Sequence, residues 1–147
     1  MKLVSACLLG VRCRWNGKRR AFRKVVALSG REVLIPVCPE QLGGLPTPRV
    51  AQEIVGGSGG DVLDGNCIVL NRKGEDVTEN FVRGAREVLR IARMFGIGVF
   101  VGKERSPSCA SKYIYDGSFK GKIVEGEGVT TALLRRNGIE VISEEEL

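Results

Sequence analysis

The chain has no histidine. That one gap removes Ser–His–Asp and Cys–His catalysis and every zinc site that uses imidazole, so a metal here would have to be held by Cys, Asp or Glu. Aromatic residues make up only 5%, which leaves little on which nucleic-acid bases could stack. No apolar run approaches the roughly 20 residues of a membrane-spanning helix. The opening MKLVSACLLG has one lysine and a short apolar stretch. It is too short for a secretory leader and continues as a strand-and-loop pattern, so we expect a cytoplasmic protein. No Cys-x-x-Cys pair occurs, which gives a structural zinc knuckle little support. Five cysteines are an odd number, which argues against a disulfide framework.

What is present is ordinary globular material. The chain has 147 residues, 43% hydrophobic and 27% charged, enough for one domain with a real core. We expect residues 1–147 to form a single domain. The formal charge is +6. Part of it is local: Arg12, Arg14, Lys18, Arg19, Arg20, Arg23 and Lys24 crowd into one stretch. Such a stretch can touch phosphates, and it can equally be the solvated side of a helix.

The hydrophobic pattern alternates strands and helices. KLVSA (2–6), EVLIPV (32–37), NCIVLN (66–71), IGVFVG (97–102) and IEVIS (139–143) read as strands. The run 97–102 is almost unbroken, as expected for a strand buried on both faces of a parallel sheet. Residues 76–96 carry Val77, Phe81, Val82, Ala85, Val88, Leu89 and Ala92 at three- and four-residue steps. That is the clearest helix, with Asp76 or Thr78 to cap it and Gly96 to close it. Shorter helices are expected over 19–29 and from Thr130 or Thr131 onward, and a hairpin or loop excursion over 113–124. Residues 43–60 read as a long Gly/Pro loop with one helical turn at AQEIV. The order predicts an α/β three-layer domain with a largely parallel, Rossmann-like sheet.

In such a sheet, ligands bind at the carboxyl ends of the strands. Cys7 and Cys13 follow the first strand, Cys38 ends the second, and Cys109 lies in the loop after 97–102. Four of the five thiols are thus expected at one edge, while Cys67 falls within a strand, where a small buried thiol is the default. Convergent thiolates in a reduced compartment favour iron–sulfur, Cu(I) or zinc. Three cysteines that leave one iron open would make a cluster able to bind a substrate. Glu40, two residues after Cys38, is the strongest candidate to move a proton. Ser106 and Ser108 can orient water or substrate.

SACLLGxxCRWNG, PVCPEQLGGLPTPR and ERSPSCASKYIYDGSFKGKIVEGEGVTTALLRRNGIEVISE, in this order, resemble the DUF523 family, whose best-understood members are thiouracil desulfidases. The likeness runs from about residue 3 to residue 145. It implies a 4Fe–4S cluster held by three cysteines, with an open iron that takes the sulfur of a thiolated base. The implied reaction is non-redox: water replaces sulfur, giving uracil and hydrosulfide from thiouracil. Transferred by motif, Cys7, Cys13 and Cys109 correspond to the ligands, with Cys38 in place of Cys13 as the rival set. Glu40 corresponds to the acid/base residue and Ser106 to the catalytic serine, with Ser108 as its alternative. Gly43, Gly44 and Arg49 fall in the loop expected to shape the substrate site. Arg49 either binds substrate, closes onto Glu40 or holds the loop. Trp15, Asn16 and Ala110 depart from the residues common in the family, and none is a proposed ligand.

The implied partner is a small thiolated base, with no membrane and no nucleic acid. A cluster exposed in this way is oxygen-sensitive, so an aerobically handled sample is expected to lose it. The competing expectation from the residues alone is a non-catalytic module, with zinc on the cysteines and RNA phosphate on residues 12–24. A third is a metal-free thiol enzyme whose cysteine is activated by arginine or a helix N-terminus.

Overall fold

The computed structural model describes residues 1–147. Four strands, β1 (Lys2–Ser5), β2 (Leu34–Val37), β5 (Val99–Gly102) and β8 (Glu140–Ser143), form a sheet in the order β2-β1-β5-β8, with every pair parallel. The two central strands are covered on both sides. Leu3, Val4, Phe100 and Val101 have no solvent exposure at all, which is why both segments read as near-continuous apolar runs.

Alternate residues of these strands serve two different cores. Leu3, Phe100 and Val141 pack with Val88, Leu89 and Ala92 of helix α4 (Thr78–Phe95) and Leu134 of α5 (Val129–Arg136). On the other face Val4 and Val101 pack with Leu8 of a short 3-10 helix (Ala6–Leu9) and Val25 of α1 (Arg23–Leu28). The sheet therefore lies between two helical layers, as the strand–helix alternation predicts.

A second body of structure sits on the N-terminal half of α4. Strands β3 (Gln52–Val55) and β4 (Ile68–Asn71) pair antiparallel, separate from the main sheet. Helix α3 (Gly59–Leu63) connects them, and β6 (Tyr113–Tyr115) pairs antiparallel with β7 (Ile123–Glu125). Ile54, Val69, Phe81, Ala85 and Ile114 form the core of this part. Helix α4 thus reaches two cores along one stripe, and its length follows from that double duty. The backbone N–H of Thr78 donates to Asp76 Oδ1 at 2.9 Å, and Gly96 ends the helix at a φ of 63°.

Several local expectations change. AQEIV is a strand, not a helical turn: Ile54 meets the second core while Glu53 faces away, and the ladder to β4 fixes that alternation. The segment 66–71 is a strand only from Ile68, and its partner is β3 rather than the parallel sheet. The helix expected over 19–29 begins at Arg23. Residues before it are drawn out of helical geometry because the Phe22 N–H donates to Leu8 O at 2.8 Å. The last helix starts at Val129, just ahead of the two threonines. The Gly/Pro-rich segment 43–60 follows a short helix, α2 (Pro39–Leu42), and contains β3 and the start of α3.

Helix α2 lies so close to α4 that a Cβ on Gly84 would come within 1.9 Å of Pro39 O, and one on Gly43 within 2.0 Å of Asn80 O. Gly84→Ala is therefore expected to force the two helices apart and cost about 1–3 kcal/mol. Gly98, with nothing within 4 Å of its added Cβ, gives the control: Gly98→Ala should stay within about 0.5 kcal/mol of the parent. Urea denaturation of the two variants checks the difference.

Candidate active site

Because the four sheet strands are parallel, their carboxyl ends and the loops that leave them lie along one edge. A cavity of about 760 Å³ opens there, and Cys7, Cys13, Cys38 and Cys109 all line it. Three separate loops deliver them. Cys7 is in the 3-10 turn after β1, Cys13 six residues on, Cys38 next to β2, and Cys109 in the loop after β5. All are free thiols. Cys13 and Cys109 are buried, and Cys7 and Cys38 are half-buried. Cys67 stands apart in the second core, with its Sγ 3.6 Å from Ser58 O, as expected of a packing thiol.

The thiols act on one another. A hydrogen bond from the Cys13 thiol holds Cys7 below the usual thiol range against the opposing effect of burial, and the Lys103 ammonium adds to the lowering. The nearby Cys13 side chain likewise lowers Cys38, aided by the Gln41 N–H, against the opposing effect of burial. Cys13, as the shared partner of Cys38 and Cys7, is pushed up. Burial pushes Cys109 up to about 12. No three metal-ligating side chains meet closely enough to hold a single ion. The four thiols on the cavity wall, delivered from three loops, form an all-sulfur donor set, which fits a cluster with Cys ligands.

Next to the thiols lies the acid–base group. Glu40 sits in the first turn of α2, where Pro39 supplies the pre-set first helical position. Its Oε1 lies 3.4 Å from Arg49 Nε, and its Oε2 accepts from Ser108 Oγ at 3.2 Å. Arg49 is 4% exposed at its side chain. It also donates to Cys13 O at 2.9 Å and to Pro46 O at 3.1 Å. One guanidinium therefore ties three things together: the acid, the cysteine loop and the Pro-rich loop. This is the closure onto Glu40 and the loop-holding role at once.

Ser106 and Ser108 sit with their hydroxyls 3.0 Å apart. Ser106 lines the cavity, whereas Ser108 is fully buried behind it. The loop that carries them is pinned at both ends. The amides of Gly128, Val129, Thr130 and Thr131 at the start of α5 donate to the carbonyls of Ala110, Pro107 and Ser108. Gly102 leaves room for Cys109 O, which would stand 2.1 Å from a Cβ there. Gly43 and Gly44, expected to shape the substrate site, are placed elsewhere. They lie against α4, where Gly43 O accepts from Asn80 Nδ2 at 2.8 Å, and neither lines the cavity.

The structure adds residues that the sequence pattern does not single out. Lys103 reaches the cavity from the end of β5 and is held by Glu144 Oε1 at 3.6 Å. Glu104 is 2% exposed. Burial works to raise its carboxyl, but the N–H groups of Tyr113 and Lys112 outweigh this and hold it below the usual range. It anchors the far side of the serine–cysteine loop. Gln52 lines the cavity with a buried Oε1 that has no partner. The only sequence signal for these positions is their distance from a strand end, because a lone Lys, Glu or Gln carries no motif. In the basic stretch, Arg12, Lys18, Arg19, Arg20, Arg23 and Lys24 are exposed and Arg14 is half-buried. No helix is long and apolar enough to cross a membrane.

Comparison with known proteins finds relatives along the whole chain. YbbK of Bacillus subtilis (strain 168) is 47% identical over 147 residues, spanning all of this chain and 97% of that protein. A solved structure, the 4Fe-4S-dependent thiouracil desulfidase TudS (DUF523), matches with a TM-score of 0.85 and 43% identity, covering 99% of this chain and 91% of that one. The family model for 2-thiouracil desulfurase matches residues 3–146. With its three cysteine-bearing loops gathered on one cavity, and with that match running from end to end, the chain belongs to the 2-thiouracil desulfurase family.

Proposed function

We propose that residues 1–147 form one catalytic domain that removes sulfur from a thiolated pyrimidine such as thiouracil, or from a similar small thione. Water replaces the sulfur, which departs as hydrosulfide. The observation that carries this reading is the meeting of four free thiols, Glu40 and Ser106 on one cavity, in a chain without a histidine to do the work another way. The relationship to TudS supports it.

Cys7, Cys13 and Cys109 are the residues that would hold a 4Fe–4S cluster. When bound, it supplies a thiophilic iron that polarises a C=S bond as a Lewis acid polarises a carbonyl. The chain supplies the rest. The cavity would receive the ring beside Glu40 and Ser106, which both line it. Glu40, fixed by Arg49, accepts the proton that the attacking water must lose. Ser106 presents a hydroxyl on the cavity wall, held by the N–H groups of Ser108 and Cys109 at 3.2 and 3.1 Å. Cys38 stays a free thiol beside Cys13, with its Sγ directed to Cys13 O at 3.8 Å. We place the protein in the cytoplasm, where thiols remain reduced.

Three variants test the assignment after anaerobic reconstitution with iron and sulfide. Cys109→Ser and Cys13→Ser are expected to lose the bound iron and the broad visible absorption of a thiolate-ligated cluster. Cys38→Ser is expected to keep both; iron retained in Cys13→Ser and lost in Cys38→Ser would exchange those two residues. Glu40→Gln should keep its iron but release uracil from thiouracil roughly a hundred- to ten-thousand-fold more slowly. A wild-type protein that binds no iron under these conditions, or that binds iron and leaves thiouracil untouched, would overturn the reading.

A further inference from the structure

We propose that Gln52 is a specificity-determining residue of this cavity. Its carboxamide reads the polar edge of a cyclic thioimide, where a ring N–H lies between the C=S and a second C=O. The proposal rests on the desulfidase reading above and deepens it.

Gln52 is 8% exposed and lines the cavity, yet its Oε1 is shut off from water and accepts no hydrogen bond. Native proteins pair nearly all buried polar side-chain atoms, so an orphaned oxygen on a cavity wall marks a missing partner. The other buried oxygens without partners, on Ser111, Thr130 and Thr131, do not line the cavity. The acidic groups that do line it are engaged. Glu40 meets Arg49 and Ser108, Glu144 meets Lys103, and Glu145 meets Arg105. Glu104 accepts the N–H groups of Lys112 and Tyr113. A ligand in the cavity is the partner left for Gln52. The torsion that carries its amide is broad and two-fold, so the planar group turns toward that ligand at little cost.

Strand β3 holds the residue in place. Gln52 stands opposite Asn71 in the ladder to β4, and the N–H of Arg72 donates to Ala51 O at 2.8 Å. The following residue is fixed as well, because Glu53 Oε1 accepts the N–H groups of Gly117 and Phe119 at 2.9 and 3.1 Å. A side chain rooted on a strand keeps its position better than one on a free loop. Arg49, on the same segment, lies 3.4 Å from Glu40 and donates to Cys13 O at 2.9 Å. Gln52 therefore enters the cavity from the segment that also fixes the acid and the cysteine loop.

In both 2-thiouracil and 4-thiouracil, the N3–H sits between the thiocarbonyl and the remaining carbonyl. A carboxamide matches that edge: its oxygen accepts the N3–H, and its amino group donates to the carbonyl oxygen. Two parallel bonds set the plane and the turn of the ring without touching the C=S bond. A methyl group on N3 removes the donor and leaves the Gln52 oxygen unpaired. A site built around a hydrogen bond rejects an analogue that lacks it for this reason. Gln52 makes and breaks no bond of the substrate, so its effect falls on binding.

The test uses reconstituted holoenzyme with 2-thiouracil and its N3-methyl derivative. The wild type is expected to prefer the unmethylated compound by about tenfold in kcat/KM. Gln52→Leu is expected to raise KM for 2-thiouracil about tenfold, with a much smaller change in kcat. It is also expected to lose the preference between the two compounds while keeping its iron and visible spectrum. An unchanged KM overturns the assignment, and so do equal losses on both compounds, the mark of a merely structural role. If Gln52→Leu loads no iron, Gln52→Met takes its place under the same criteria. A wild type that turns over both compounds alike overturns the assignment without any variant. A loaded wild type that leaves 2-thiouracil untouched overturns the desulfidase reading and the assignment with it.

Discussion

Strands β1 and β5 lie side by side and point the same way, with Leu3 opposite Phe100 and Val4 opposite Val101. Their direction, shared by β2 and β8, sends the connections after β1, β2 and β5, and the C-terminal residues after β8, out of one edge of the sheet. Cys7, Cys38, Glu40, Lys103 and Cys109 all come from those connections. An antiparallel neighbour would have carried one of these groups to the opposite edge. The site is assembled by strand polarity, and the polarity is held by burial: the four central side chains are sealed on both faces, each contributing about 1.5–3 kcal/mol of hydrophobic stabilisation.

Precision within the site comes from a second layer of contacts made by groups that do not react. Arg49 fixes Glu40 to the cysteine loop, Glu104 gathers two amides at the far end of the serine–cysteine loop, and the first amides of α5 hold that loop's carbonyls. The N-terminus of α5 is thus spent on protein carbonyls and is not open to an anion. Three glycines, Gly84, Gly102 and Gly128, are required by backbone approaches too close for any Cβ. Each brings together two segments that carry site residues or their supports.

Much of this was legible in the sequence. Apolar runs at 97–102 and the periodic stripe from Val77 to Ala92 located the central strand and the longest helix, because burial on two faces and on one stripe leave distinct patterns. Placing cysteines after strand ends predicted their convergence. What escaped was set by tertiary pairing. AQEIV is short, and only its partner β4 makes it a strand. Residues 19–22 are pulled straight by Leu8. Gly43 and Gly44 looked like substrate-loop residues because Gly/Pro density marks loops, and the sequence cannot show that α4 is the surface they meet. The difference between Ser106 and Ser108 was likewise invisible, since one faces the cavity and the other is buried two residues away.

The central claim is that water, deprotonated by Glu40, replaces sulfur without any change of oxidation state. The most direct measurement is the mass of uracil formed from thiouracil by the reconstituted protein in 18-O-labelled water, with hydrosulfide counted alongside. The account expects one labelled oxygen in each uracil, one hydrosulfide per uracil, and no need for an added reductant or oxidant. Unlabelled uracil, or turnover that depends on an external electron source, would contradict it.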